Sequence, residues 1–244
     1  MIIGINGKIG AGKDTVGTII QGLLLTNKNQ SSEIKKFAGK LKQIASILTG
    51  ISVEKFEDPE FKTNLLDVEW GTVQDIPLNS IPPFADMQFN VMMSVREFLQ
   101  KLGTDTVRDG LHKDAWVNAL FADYTKRIIH YPLTEEQIEY NNKQTGPVPS
   151  VNEKLDYPNW VITDMRFPNE LEAVEKRHGI TIRVVRPHGY TDPNTGVYKE
   201  MPLSYHPSET SLDDVKFDYE IINDGTMEEL VKKVREILVK EELI

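Results

Sequence analysis

The sequence contains no cysteine, which excludes disulfides, thiolate metal sites and a cysteine nucleophile. That absence agrees with a reducing cytoplasm, the expected location. Long hydrophobic runs are missing too, because nothing approaches the roughly 20 apolar residues that cross a bilayer. No membrane association is expected. A signal peptide is not expected either, since only Met1 precedes the apolar run "IIGI" and the charged n-region is lacking. Positive charge is scarce: 28 Lys and Arg stand against 37 Asp and Glu, a net charge of −9. Stable nucleic-acid binding is therefore not expected, because duplex affinity rests on phosphate neutralisation by basic side chains. A small phosphate compound remains possible if the basic groups gather in one place. No Ser-His-Asp or Cys-His constellation stands out, and His206, Ser208 and Glu209 crowd too closely in one loop for a metal site.

What is there suits one soluble α/β domain over 1–244, with 39% apolar and 27% charged residues. "MIIGIN" is a short apolar run ending at Gly7 and predicts a buried parallel strand. From Lys13 the apolar spacing of Val16, Ile19, Ile20, Leu23 and Leu24 predicts a helix. "EIKKFAGKLKQIASILTG" predicts a second strand, then a helix closed by Gly50. "SVREFLQKLGTD" predicts a helix from Ser94, its cap, to a stop at Gly103, and "DAWVNALFADYTKRI" another amphipathic helix. Strand "NWVITD", helix "PNELEAVEKRHG", strand "ITIRVVRP" and strand "DYEIINDG" follow. The last helix opens on a capping box from Thr226 to Glu229. Alternating strands and helices predict a mostly parallel sheet covered on both faces. Three stretches break the pattern: 51–93 reads as an irregular insertion, 132–158 as a polar surface insertion, and 188–213 as a candidate lid with which Arg186 or Lys199 could move.

Between the first strand and helix lies "GKIGAGKDT", nearly the phosphate-loop pattern G-x-x-x-x-G-K-[ST]. Glycines at 7, 10 and 12 let the backbone curl around an anion, the helix start adds its positive end, and Lys13 reaches phosphates as a point charge. Asp14 occupies the expected hydroxyl position and Thr15 comes one place late. A carboxylate beside a triphosphate is repelled unless a cation lies between them, and Mg²⁺ accepts such a hard oxygen ligand. The alternative is that Asp14 only complements the helix dipole. Asp164 ends an apolar strand, where open α/β sheets bind ligands, and Arg166 and Glu170 follow closely. Arg96, Gln100 and Gly103 share one helix face by spacing, which suits a phosphate and a base edge or simply a solvated face. Trp116 reads as core before it reads as a stacking platform, and Asn223-Asp224-Gly225 is turn chemistry at the sheet's C-terminal edge.

Taken together, "GAGKDT", "SVREFLQKLGTD", "DAWVNALFADY", "WVITDMRFPNE", "IRVVRP" and "INDGTMEEL" resemble the phage-type deoxynucleoside monophosphate kinases of the P-loop kinase superfamily. The resemblance implies a three-layer P-loop kinase fold and transfer of the ATP γ-phosphoryl group to a deoxynucleoside 5′-monophosphate with Mg²⁺. It implies that Gly10, Gly12, Lys13, Asp14 and Thr15 bind ATP, with Asp14 on the metal and Asn223 and Gly225 near the adenine. Arg96, Gln100, Gly103, Thr104, Trp116, Asp164, Arg166 and Glu170 would hold the monophosphate, and Lys13, Arg96, Asp164 and Arg166 would carry the catalysis. The implied partners are small-molecule nucleotides, in the host cytoplasm if the protein is viral, with a homodimer as the assembly allowed for. Two alternatives stay open: a P-loop kinase of another phosphorylated metabolite, of phosphomevalonate or dephospho-coenzyme A type, and a non-catalytic ATP-binding module.

Overall fold

A computed structural model describes residues 1–58, 60–70, 72–74, 89–187, 190–191, 198–199 and 210–244. Contacts group the chain into two compact units, one of residues 1–37 with 117–244 and one of residues 38–116. The candidate lid at 188–213 falls largely outside the described residues, as do the middle of 51–93 and His206, Ser208 and Glu209.

The first unit is built on a parallel sheet. Its strands are β1 (Ile2–Asn6), β2 (Glu33–Lys35), β7 (Trp160–Met165), β8 (Ile180–Val185) and β11 (Tyr219–Ile222). Among the described residues they pair in the order β11-β8-β1-β7-β2, every pair parallel, while β3 (Thr72–Gln74) with β4 (Phe89–Val91) and β9 (Tyr190–Thr191) with β10 (Tyr198–Lys199) form separate antiparallel pairs. β1 is central and buried on both sides, which explains why "IIGI" is a continuous apolar run instead of an alternating one. Ile3 and Ile5 join Val161, Ile182 and Val184 in a core with α1 (Lys13–Lys28) and the last helix, α8 (Met227–Lys240). On the other face Ile2, Trp160, Ile162 and Met165 pack with α5 (Ala115–Phe121) and α7 (Pro168–Glu175) through Val117, Phe121, Leu171 and Val174. Helices on both faces of a parallel sheet make this the three-layer P-loop kinase fold. The strand order reverses at β1, so the loop leaving its C-terminal end sits at the topological switch point where such sheets bind ligands.

The expected caps have physical counterparts. Thr226 Oγ1 accepts from the Glu229 amide, and Glu229 Oε2 accepts from the Thr226 amide at 2.8 Å. Gly50, at φ +71°, follows α2 (Ala38–Thr49) in the left-handed region that ends helices. The predicted helix over "DAWVNALFADYTKRI" is shorter: α5 ends at Phe121, and Arg127–Tyr131 is instead a strand, β5, paired antiparallel with β6 (Asn152–Asp156). Ile128 and Ile129 are consecutive β-branched residues in "RIIHY", which suit a two-stranded ribbon better than a helix. Within 132–158 a further short helix, α6 (Glu135–Asn142), has no buried residue.

The second unit contains α2, α3 (Val53–Glu57), two single-turn 3₁₀ segments, and α4 (Val95–Gln100). Its core is small: Ala45, Phe56, Leu66, Val95 and Phe98. Trp70 meets Phe98 edge to face at 5.0 Å between ring centroids. Ser94 caps α4 as expected, in a capping box whose hydrogen bonds from Ser94 to the Glu97 carboxylate hold that acid below its ordinary pKa. The predicted stop at Gly103 does not occur. The helix widens at Lys101 into a π-type segment that runs to Asp109. Trp116 Nε1 donates to the Gly103 carbonyl at 2.8 Å, giving a widened turn a partner from outside the helix.

Candidate functional site

The loop between β1 and α1 is shaped by its glycines and held by side chains from distant strands. Gly10 and Gly12 have φ of +77° and +99°, a region closed to most side chains. A Cβ on Gly12 would also stand 2.5 Å from Asn223 Nδ2. That amide belongs to a buried residue, 6% exposed, and donates to the Ala11 carbonyl at 2.9 Å. The Asn223 amide N–H in turn donates to Val185 O at 2.7 Å, so the end of β8 and the loop are tied through one residue. Lys13 Nζ folds back on the loop, donating to Gly7 O at 2.6 Å and Lys8 O at 2.9 Å. Arg186 reaches the same loop and donates to Gly10 O at 3.3 Å. An ammonium and a guanidinium thus converge on a loop at a helix N-terminus, an arrangement that suits polyanionic phosphate.

Asp14 stands on the first turn of α1. Its Oδ1 accepts from the Thr163 hydroxyl at 2.6 Å and lies 3.3 Å from Lys36 Nζ. Burial works to raise its pKa, but the Thr163 hydrogen bond and the charges of Lys36 and Lys13 outweigh that and hold the carboxyl below the usual range. Asp14 is therefore ionised at neutral pH. Thr15 is exposed beside it. Sequence reasoning missed both Thr163 and Lys36. The only signals were a lone hydroxyl inside the apolar "WVITD" and a lysine just past β2.

The "TDMRFPNE" segment is tied down in sequence order. Asp164 Oδ1 accepts from the Phe37 amide at 2.7 Å, linking the end of β7 to the exit of β2. Glu170, 3% exposed, accepts through Oε2 from the Arg166 and Phe167 amides at 2.7 and 3.1 Å, which caps α7. The Arg166 side chain is half-buried. At the far edge, a side chain at Gly225 would collide with the Glu229 carboxylate of the α8 cap.

The remaining candidates lie in the second unit. Arg96 and Gln100 are both exposed on α4, as their i, i+4 spacing requires. Gly103 does not share that exposed face: it is buried, with Leu41 where a Cβ would be, because the i→i+5 winding past Lys101 rotates it away from α-helical register. Thr104 is half-buried, and Trp116, 6% exposed, is a core residue.

A family model described as deoxynucleotide monophosphate kinase matches residues 65–234. The chain belongs to the deoxynucleotide monophosphate kinase family. Two relatives agree with that membership. A deoxynucleotide monophosphate kinase of Enterobacteria phage T4 is 27% identical over 181 residues, 74% of this chain and 56% of the relative. A putative deoxynucleotide monophosphate kinase of Acanthamoeba polyphaga mimivirus is 26% identical over 147 residues, 57% of this chain and 58% of the relative. The chain thus spans under three fifths of the length of the curated relatives it matches. The kinase-family match begins after the glycine loop between β1 and α1. No helix among the described residues is long and apolar enough to cross a membrane.

Membership in a kinase family implies nucleotide use, and Mg²⁺ typically accompanies it. The residues present fit that pair. Mg²⁺ takes one or two carboxylates along with phosphate oxygens and waters rather than an all-protein cage. Asp14, ionised and two-thirds exposed, could serve as one such carboxylate. Among the described residues there is no group of three or more metal-ligating side chains.

Proposed function

We propose that the protein transfers the γ-phosphoryl group of ATP to a deoxynucleoside 5′-monophosphate, giving the diphosphate and ADP. The observation that carries this reading is the glycine loop at the sheet's switch point, with Lys13 and an ionised Asp14 beside it, in a chain of the deoxynucleotide monophosphate kinase family. An acceptor phosphate oxygen forms the new bond to phosphorus, and the bond from the γ-phosphorus to the bridging oxygen breaks, its electron pair leaving on ADP. The acceptor is already an anion, so no general base is needed. Positioning and charge neutralisation do the work.

On this reading Gly10, Gly12, Lys13 and Thr15 bind ATP, and Lys13 exchanges the carbonyls of Gly7 and Lys8 for phosphate oxygens. Asp14 would hold the Mg²⁺, which when bound would offset the charge of the ATP phosphates. Asn223 acts on the donor side by holding Ala11, and Gly225 lies on the adenine side. Arg96, Gln100, Gly103, Thr104 and Trp116, with Asp164, Arg166 and Glu170, serve the monophosphate by carry-over from the resemblance. For Glu170 and Trp116 that service is indirect, through the α7 cap and the Gly103 carbonyl.

A coupled ADP-release assay across deoxy- and ribonucleoside monophosphates, phosphomevalonate and dephospho-coenzyme A tests the reading. ATP turnover dependent on at least one deoxynucleoside monophosphate is expected. Turnover with phosphomevalonate or dephospho-coenzyme A and with no deoxynucleotide would replace it by the other-metabolite kinase, and ATP binding with no transfer by the binding module.

A further inference from the structure

We propose that Thr163 is a positioning residue for the donor side of the reaction. Its hydroxyl fixes the Asp14 carboxylate so that Oδ1 is spent on the protein and Oδ2 is presented to the cation accompanying the nucleotide. The inference rests on the kinase reading above and names a residue that reading does not use.

Thr163 is 1% exposed and lies in a strand whose neighbours Val161 and Ile162 are fully buried and apolar. A valine would fill the same space, so the hydroxyl calls for another explanation. It donates to Asp14 Oδ1 at 2.6 Å, and Lys36 Nζ faces that same oxygen at 3.3 Å. Neither contact uses Oδ2.

Two features of the backbone serve this one hydrogen bond. The β1–β7 pairing slips just here, for Gly4 pairs with Ile162 but Asn6 with Met165, so the irregularity falls at Thr163 and Asp164. Such slips re-aim side chains beside active sites. Here consecutive residues reach Asp14 on α1 and the Phe37 amide after β2. On the helix side, Gly17 is buried against the same threonine, and a Cβ there would come within 2.5 Å of Thr163 Cγ2. Asp14 and Gly17 are i and i+3 on one helix face. The missing side chain at 17 lets α1 approach β7 closely enough for Asp14 to be reached. Lys36 supplies a counter-charge to the carboxylate while no cation is bound.

A carboxylate held in one orientation loses less freedom when it takes a metal, and outer partners of this kind cost about 10–100-fold in metal affinity when removed. Thr163→Val removes the donor and keeps the volume. Binding of Mn²⁺ together with a non-hydrolysable ATP analogue, followed by the loss of the free Mn²⁺ paramagnetic resonance signal, is expected to weaken by about 10-fold. Binding of the analogue without metal should be unchanged, and Thr163→Ser should restore the wild-type value. In an Asp14→Asn background the valine substitution should add no further loss, because its effect passes through that carboxylate. Wild-type Mn²⁺ affinity in Thr163→Val would overturn the proposal, as would an equal loss in the Asp14→Asn background. The measurement contains no acceptor, so a wrong acceptor class leaves it intact. A wild type that binds no Mn²⁺ with the analogue would overturn both this proposal and the donor-side reading beneath it.

Discussion

Two glycines, Gly12 in the sheet unit and Gly103 in the helical unit, show how differently the two regions are held. Gly12 sits at φ +99° against the amide of Asn223, which is itself buried and committed to the Ala11 carbonyl. Nothing around it can give. Gly103 sits in a right-handed helical segment, with the Leu41 methyl 2.8 Å from a would-be Cβ, and that methyl ends a flexible side chain. The loop is a backbone shape pinned by polar side chains of fixed reach. The helix is a wound segment resting on apolar contacts that can shift. Rigidity of the first kind suits the phosphate-binding role proposed for the loop, which calls for donors that need not reorganise.

The comparison can be broken by substitution. Lys13→Ala should cause the largest effect, a fall in turnover of about 10²–10³-fold by loss of a preorganised cation, read in the ADP-release assay. Full activity in that variant would remove the loop from the transfer machinery. Gly12→Ala comes next. Left-handed strain of about 1–2 kcal/mol for a residue with a Cβ, added to displacement of Asn223, should lower unfolding stability by about 2–3 kcal/mol. Urea unfolding measures it, with ATP affinity falling in parallel. Gly103→Ala should have the smallest effect, under about 1 kcal/mol, since the helix preference for alanine offsets the shift of Leu41. Equal costs at the two glycines would show that the helical unit is pinned as tightly as the loop.

Legibility in the sequence followed the same division. The sheet unit announced itself through local signals: apolar runs of strand length, 3.6-residue spacing in α1, and a capping box at Thr226. Its loop was legible as a turn because glycine tolerates the left-handed backbone that Gly10 and Gly12 adopt. The helical unit was read less well. Its helix was expected to stop at Gly103, yet that glycine carries a close approach to Leu41 and a carbonyl partner for Trp116, not a stop. A glycine's two uses, turning and yielding room, look alike in one dimension. The start of the strand at Arg127–Tyr131 was read as the end of a helix for a related reason, since its partner lies 21 or more residues later and pairing is not written locally.

What the sequence determined by itself was the succession of the five parallel strands along the chain, the burial of β1 and the glycine turn that follows it. Those depend on interactions between near neighbours: periodicity, capping, and the conformational range of glycine. What the tertiary structure alone decided was the state of Asp14. The letter that departs from the phosphate-loop pattern is oriented by a hydroxyl 149 residues further along the chain, and the loop itself is braced by an amide 212 residues from its partner. A hydrogen bond acts over about 3 Å whatever the sequence separation, so only the packed strands could bring those groups together.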